Sequence, residues 1–184
     1  MPVRGPGRRR RRAPAGVRLR VYAPSDGPAV RRLWRDAGLY IGPSDTRSAL
    51  ERQRRRDPDL FLVAEDRGRI VGAALGRFDG RRGSVNHLAV AAEARSRGLG
   101  ARLVREIEMR LRRKGCVKVN LHVEPSNAGV IAFYESVGYR PRDLLFLEKW
   151  LIEGVVPGTD LPPSPGPGRR PRAARATGAT TRPP

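Results

Sequence analysis

Little in this chain could support disulfide or metal chemistry. A single cysteine, Cys116, excludes an intramolecular disulfide and any zinc site built from several thiolates. Two histidines, His87 and His122, are too few for a site made of imidazoles, so no metal is expected. No apolar run approaches the roughly 18 residues of a membrane span. The N-terminus also lacks the apolar core of a secretion signal. The expectation is a cytoplasmic protein with no membrane partner. Aromatic residues make up only 5% of the chain. They fall at core spacing rather than between arginines on one strand, which argues against a stacking platform for nucleic acid as the main function.

Arginine, by contrast, is abundant. The chain of 184 residues carries 38 Lys+Arg against 18 Asp+Glu, a formal charge of +20, and only Lys114, Lys118 and Lys149 are lysine. Residues 1–16 hold six arginines and no acid, and residues 154–184 hold five arginines and one aspartate. Both ends are basic, rich in proline and poor in large apolar side chains, so both are expected to be disordered. The run Arg8–Arg12 has the chemistry of a weak polyanion-binding arm. Replacement of lysine by arginine along the whole chain points instead to a GC-rich coding sequence. Between the ends, residues 17–153 have the length of one ordinary domain.

The pattern within that domain alternates strands and helices. Val17–Tyr22 alternates as a strand. Ser25 or Asp26 then caps a helix with Val30, Leu33, Trp34 and Ala37 on one face, closed by Gly38. A weaker helix is predicted over Ser44–Arg56, ending before Asp57-Pro58. Leu60–Glu65 and Ile70–Phe78 form a hairpin through Asp66-Arg67-Gly68-Arg69, and a second turn leads into a strand over Ser84–Val90. An amphipathic helix follows over Leu99–Lys114, with Gly115 closing it. Cys116–Val123 reads as a strand with Val117, Val119, Leu121 and Val123 on one face. A helix over Asn127–Val137 and a last strand over Asp143–Leu151 complete an α+β fold: a mixed, mostly antiparallel sheet with helices on both faces. The unit from Ser84 to Val123 should be a parallel crossover.

Chemistry concentrates between Leu88 and Ala101, LAVAAEARSRGLGA. A strand ends at Val90, and a loop with Arg95, Ser96, Arg97, Gly98 and Gly100 opens into a helix. The first turn of a helix has unpaired N–H donors and partial positive charge, which suits a phosphate. Glycines let the backbone approach its oxygens, and flanking arginines add charge-assisted bonds.

Arg95-Ser96-Arg97-Gly98-Leu99-Gly100 resembles the acetyl-CoA signature of the GNAT (Gcn5-related) N-acetyltransferases, Gln/Arg-x-x-Gly-x-Gly/Ala. Asn127, with Ala132-Phe133-Tyr134-Glu135-Ser136-Val137-Gly138-Tyr139, is similar to their second signature. Within the family, Leu60–Glu65, Phe78–Ser84 and Trp150–Glu153 look most like the YpeA-type acetyltransferases. Ser96 departs from the glycine often found there, and a small residue at negative φ is expected to be tolerated.

The resemblance implies the GNAT fold, with a splayed pair of parallel strands binding acetyl-CoA as co-substrate. Backbone groups of Leu88, Ala89 and Val90 would bond the pantetheine arm. Arg95, Ser96, Arg97, Gly98, Leu99, Gly100 and Ala101 would cradle the pyrophosphate, chiefly through backbone N–H groups. Asn127 would bond the pantetheine side, and Tyr134 would protonate the departing CoA thiolate. The resemblance carries over no base; His122 is the candidate to take the acceptor proton, with His87, Glu124 or water as alternatives. Attack needs a neutral amine. An α-amino group near pKa 8 reaches that state at a cost of about 1 kcal/mol at pH 7, against roughly 4.6 kcal/mol for a lysine side chain. A peptide N-terminus or small amine is therefore the favoured acceptor, on a monomer or homodimer. Two other readings are a non-catalytic acyl-CoA-binding or regulatory module of the same shape, and nucleic-acid binding through the basic ends.

Overall fold

Five segments pair into one sheet in the computed structural model, which describes residues 16–145 and 147–151. The basic ends 1–15 and 154–184, expected to be disordered, lie outside the described residues. The chain divides into two units, Met1–His122 with Ser136–Gly138 and Val123–Glu135 with Tyr139–Pro184.

The first unit holds the sheet, in the order β1 (Arg18–Val21), β2 (Phe61–Asp66), β3 (Arg69–Phe78), β4 (Gly83–Val90) and β5 (Val119–Asn120). The first four are antiparallel neighbours, as their short connections dictate. Arg67 and Gly68 both take positive φ, at 49° and 77°, so the β2–β3 turn twists with its strands. β4 and β5 are parallel.

Each face of the sheet buries a helical layer. Leu99, Leu103, Ile107 and Leu111 of α3 (Leu99–Arg113) pack with Leu60, Leu62, Ala64, Ala74 and Val85. On the other face Val30, Leu33 and Trp34 of α1 (Gly27–Asp36) and Leu50 of α2 (Arg47–Arg56) pack with Phe61, Val63, Ala73 and Leu75. Small residues in the sheet let α3 lie close. A Cβ on Gly76 would stand 2.7 Å from Ile107 Cγ2, and one on Gly83 would stand 2.6 Å from Leu111 Cδ1.

Three expectations about the elements of the first unit need correction. Asp26 stands before α1 but does not cap it with its side chain. Its carboxylate instead takes the Ala23 N–H at 2.8 Å and both Nη atoms of Arg20, at 2.6 and 2.8 Å. α2 starts later than Ser44, because Thr46 is its cap and accepts from the Ala49 N–H. The strand expected over Cys116–Val123 is reduced to Val119–Asn120, and Val117 is 89% exposed. Alternation predicts which way side chains would point in a strand, but a neighbour's ladder makes the strand. β5 finds its ladder only at Gly83↔Val119 and Ser84↔Asn120.

The second unit contains a 3₁₀ segment, Pro125–Val130, and α4 (Ile131–Ser136). The strand expected over Asp143–Leu151 is absent among its described residues, where Leu144, Leu145, Leu147 and Leu151 are exposed. No strand pairs with this apolar run, so β propensity alone leaves it irregular.

Candidate active site

Gly98 is the N-cap of α3 and takes φ +76°, a left-handed value that glycine adopts without steric cost. It makes no side-chain cap, and the first turn of α3 carries no acid. The leading N–H groups of the helix therefore face an exposed turn, Arg95–Gly98, with two guanidinium groups and no negative charge. Ser96 corrects the expectation of negative φ: it sits at +59°. Left-handed residues in such a turn gather neighbouring N–H groups on one side, the geometry that cups an anion. Arg95, Ser96, Arg97, Gly98, Leu99, Gly100 and Ala101 are thus brought together as the sequence predicts. Their open, uncapped donors fit a pyrophosphate.

β4 leads to this turn through a short 3₁₀ turn, Ala92–Ala94. It pairs with β5 only at Gly83 and Ser84, and from Val85 onward its second edge has no strand beside it among the described residues. Ala89 and Val90 are held on the other edge by Ala73 and Gly72. The Val90 carbonyl accepts from Arg95 Nε at 3.0 Å. Leu88, Ala89 and Val90 therefore border an open strand edge that ends at the anion-cupping turn, and one of their acceptors is covered by an arginine from that turn.

β4 is also irregular. Asn86 pairs with Leu75 and Ala89 with Ala73, so His87 and Leu88 together face Ala74. His87 absorbs the extra residue at φ +47°. Its Nε2 lies 3.3 Å from Asp45 Oδ1, and its ring meets that of Trp34 at 4.6 Å. Asp45 is buried, and burial pushes its carboxyl up. The His87 contact, the Gly42 N–H at 2.9 Å and the charge of Arg31 outweigh this and hold it below the usual carboxylate range. Arg31 Nη1 also donates to the Asp45 carbonyl. Asp45 escaped the sequence reading, which placed it inside a helix. No spacing rule links it to His87. A cavity of about 220 Å³ in the same unit is lined by Tyr22, Pro24, Arg47 and Glu51. His122 closes the first unit as an exposed residue beyond β5.

In the second unit, Tyr134 is half-buried on α4, with ring contacts to Phe133 at 5.0 Å and Tyr139 at 5.7 Å. Burial raises its phenol above the ordinary value. Asn127 is exposed at a kink in the 3₁₀ segment, and its N–H donates to the Glu124 carbonyl at 2.8 Å. Glu124 is exposed too. No group of His, Cys, Asp and Glu among the described residues could hold a metal ion. No helix among them is long and apolar enough to cross a membrane.

The mixed sheet with helices is a fold this chain shares with solved acetyltransferases. It superposes on PaiA N-acetyltransferase from Thermoplasma acidophilum, solved in complex with coenzyme A, with a TM-score of 0.62 at 18% identity, covering 70% of this chain and 92% of that one. A Trypanosoma brucei acetyltransferase gives 0.56 at 26% identity, covering 73% and 99%. In sequence, the chain is 39% identical over 137 residues to an acetyltransferase of Pectobacterium atrosepticum, covering 74% of this chain and 97% of that protein. The profile of the Acetyltransferase (GNAT) family matches residues 28–139. The chain belongs to that family, and is an acetyltransferase by kinship.

Proposed function

We propose that the protein is a cytoplasmic, acetyl-CoA-dependent N-acetyltransferase of the YpeA type. It would move the acetyl group to a primary amine by direct attack in a ternary complex. The observation that carries this reading is the parting of β4 from β5 after Ser84, beside the uncapped start of α3. An extended amide-bearing arm needs a strand edge, and a pyrophosphate needs clustered N–H donors. The chain offers both in sequence, from Val85 to Ala101.

Acetyl-CoA supplies an activated thioester. The protein's part is to bind and orient it. Backbone groups of Leu88, Ala89 and Val90 bond the arm, and N–H groups of Ser96–Ala101 hold the phosphates. Arg95 Nε donates to the Val90 carbonyl at 3.0 Å, which places its guanidinium between the strand edge and the phosphate turn. Asn127 bonds the pantetheine side, and Tyr134 gives its proton to the thiolate. The acceptor is a peptide N-terminus or a small amine of modest basicity, because no strong base is provided for a lysine ammonium.

The test pairs thiol release from acetyl-CoA across an amine panel with thermal stabilisation by CoA alone. The expected result is stabilisation together with thiol release, fastest for α-amines. Stabilisation without release from any amine would mean a non-catalytic CoA-binding module.

A further inference from the structure

Two buried polar atoms of the first unit, His87 Nδ1 and Trp34 Nε1, have no hydrogen bond among the described residues, and they belong to rings in contact. The other imidazole nitrogen, Nε2, is the one beside Asp45 Oδ1. A carboxylate accepts a hydrogen, so Nε2 carries it and Nδ1 keeps its lone pair. The carboxylate is fixed in turn by the Gly42 N–H and by burial, with its side chain 8% exposed. Arg31 holds the same residue by its carbonyl.

The backbone around His87 is also unusual. A non-glycine residue at φ +47° in a strand is strained, and such strain persists where the surroundings impose it. Here it comes with a bulge, a device that re-aims a side chain beside an active site. The next residue is Leu88, the first of the three backbone positions assigned to the arm that carries the thioester. His122 and Glu124, the other candidates, are exposed.

We propose that His87 is the base that takes the proton from the acceptor ammonium through Nδ1, and that Asp45 is the positioning residue that fixes its tautomer. The proposal rests on the acetyltransferase reading above. One ammonium proton passes through a water to Nδ1, which is itself buried, and leaves the amine lone pair free. The N–C bond forms, the thioester C–S bond breaks, and the sulfur leaves with the electron pair. The second amine proton is lost as a proton is gained by sulfur. The products are the amide, CoA thiol and one proton on His87, which returns to solvent. The charged groups around the imidazole are Asp45 on the turn before α2 and Arg31 on α1. Trp34 of α1 and Ala73–Leu75 of β3 opposite the bulge are uncharged.

The experiment uses the full chain, its His87→Gln and Asp45→Asn variants, and acetyl-CoA. A Ser-Gly-Ala tripeptide amide and an Nα-acetyl-lysine amide serve as acceptors, across about pH 5.5–9. His87→Gln should lower kcat/KM about 10²–10³-fold and flatten its acid limb, while stabilisation by CoA is retained. Asp45→Asn should lower it roughly 10-fold, since an amide no longer fixes which imidazole nitrogen carries the hydrogen. Nitrogen-15 spectra of the imidazoles read the tautomer directly, because the chain has only two histidines. The wild type should show His87 with hydrogen on Nε2, and Asp45→Asn should mix the two forms. Unchanged kcat/KM and acid limb in His87→Gln overturn the proposal. So does a wild-type His87 carrying its hydrogen on Nδ1, which stands even if the glutamine variant fails to fold. Stabilisation by CoA with no thiol release from either acceptor overturns the acetyltransferase reading itself, and this proposal with it.

Discussion

Burial holds the Tyr134 phenol above its ordinary pKa, so the hydroxyl keeps its proton through the neutral range. In water, transfer to a thiolate with a conjugate acid near 8.5 is uphill from a phenol near 10. Shielding raises the thiolate's value as well, and the transfer becomes favourable where that rise exceeds the phenol's. Tyr134→Phe should therefore leave stabilisation by CoA intact and lower kcat by about 10²–10⁴-fold in thiol-release assays. Full kcat would assign that proton to water or to the acceptor. Individual residues were unevenly legible. Gly98 could be read from its place in Arg-x-x-Gly-x-Gly before an amphipathic run, while its left-handed φ came only with the fold. Ser96 could not, because a serine carries no mark of the positive φ it adopts here. The Asp45–His87 pair was hidden for another reason: its partners come from a connecting turn and a strand, and only the folded chain brings them to 3.3 Å.

Elements with local causes were read best. The β2–β3 hairpin and α3 follow from turn chemistry and from a helical period sustained through Leu99–Arg113. Elements that depend on a partner were read worst, as the two-residue β5 and the unpaired run after Pro141 show. The contact between α3 and β3 gives the sharpest test at this scale. A Cβ at Gly76 would meet Ile107 at 2.7 Å and the Leu60 carbonyl and Cβ at 3.2 and 3.3 Å. The side chain could move, but the Leu60 backbone just before β2 could not without disturbing the hydrogen bond its carbonyl accepts from the Gly76 N–H at 2.8 Å. Gly76→Ala should destabilise the fold by about 1–3 kcal/mol in denaturant unfolding. Gly80→Ala, in an open turn where a Cβ meets nothing within 4 Å, should cost less, through its φ of +95° alone.

Across the whole molecule, an excess of arginine makes the few buried carboxylates matter at low pH. The hydrogen bonds from Arg20 hold Asp26 below the usual range, against the opposing effect of burial, and Arg20 also reaches Glu65 at 2.6 Å. Because the folded pKa is depressed, this stabilisation is fully present above the ordinary carboxylate value near 4. It is lost as pH falls below that value and through the folded pKa. Arg20→Gln should cost about 1–2 kcal/mol at pH 7, the size of partly exposed charge-assisted hydrogen bonds. It should also flatten the loss of stability as pH falls below about 4, measured by urea titration at each pH. The parting of β4 and β5 has a consequence of another kind. From Val85 on, β4 has no strand on its second edge among the described residues, a seam of N–H and C=O groups to which an extended segment from another copy could fasten. On the proposed reading, the co-substrate doubles as a plug. Protein stripped of CoA should scatter light on warming at concentrations where the liganded protein stays clear. Restoring CoA at about 100 times its Kd should suppress this, with about 2.7 kcal/mol of added stability.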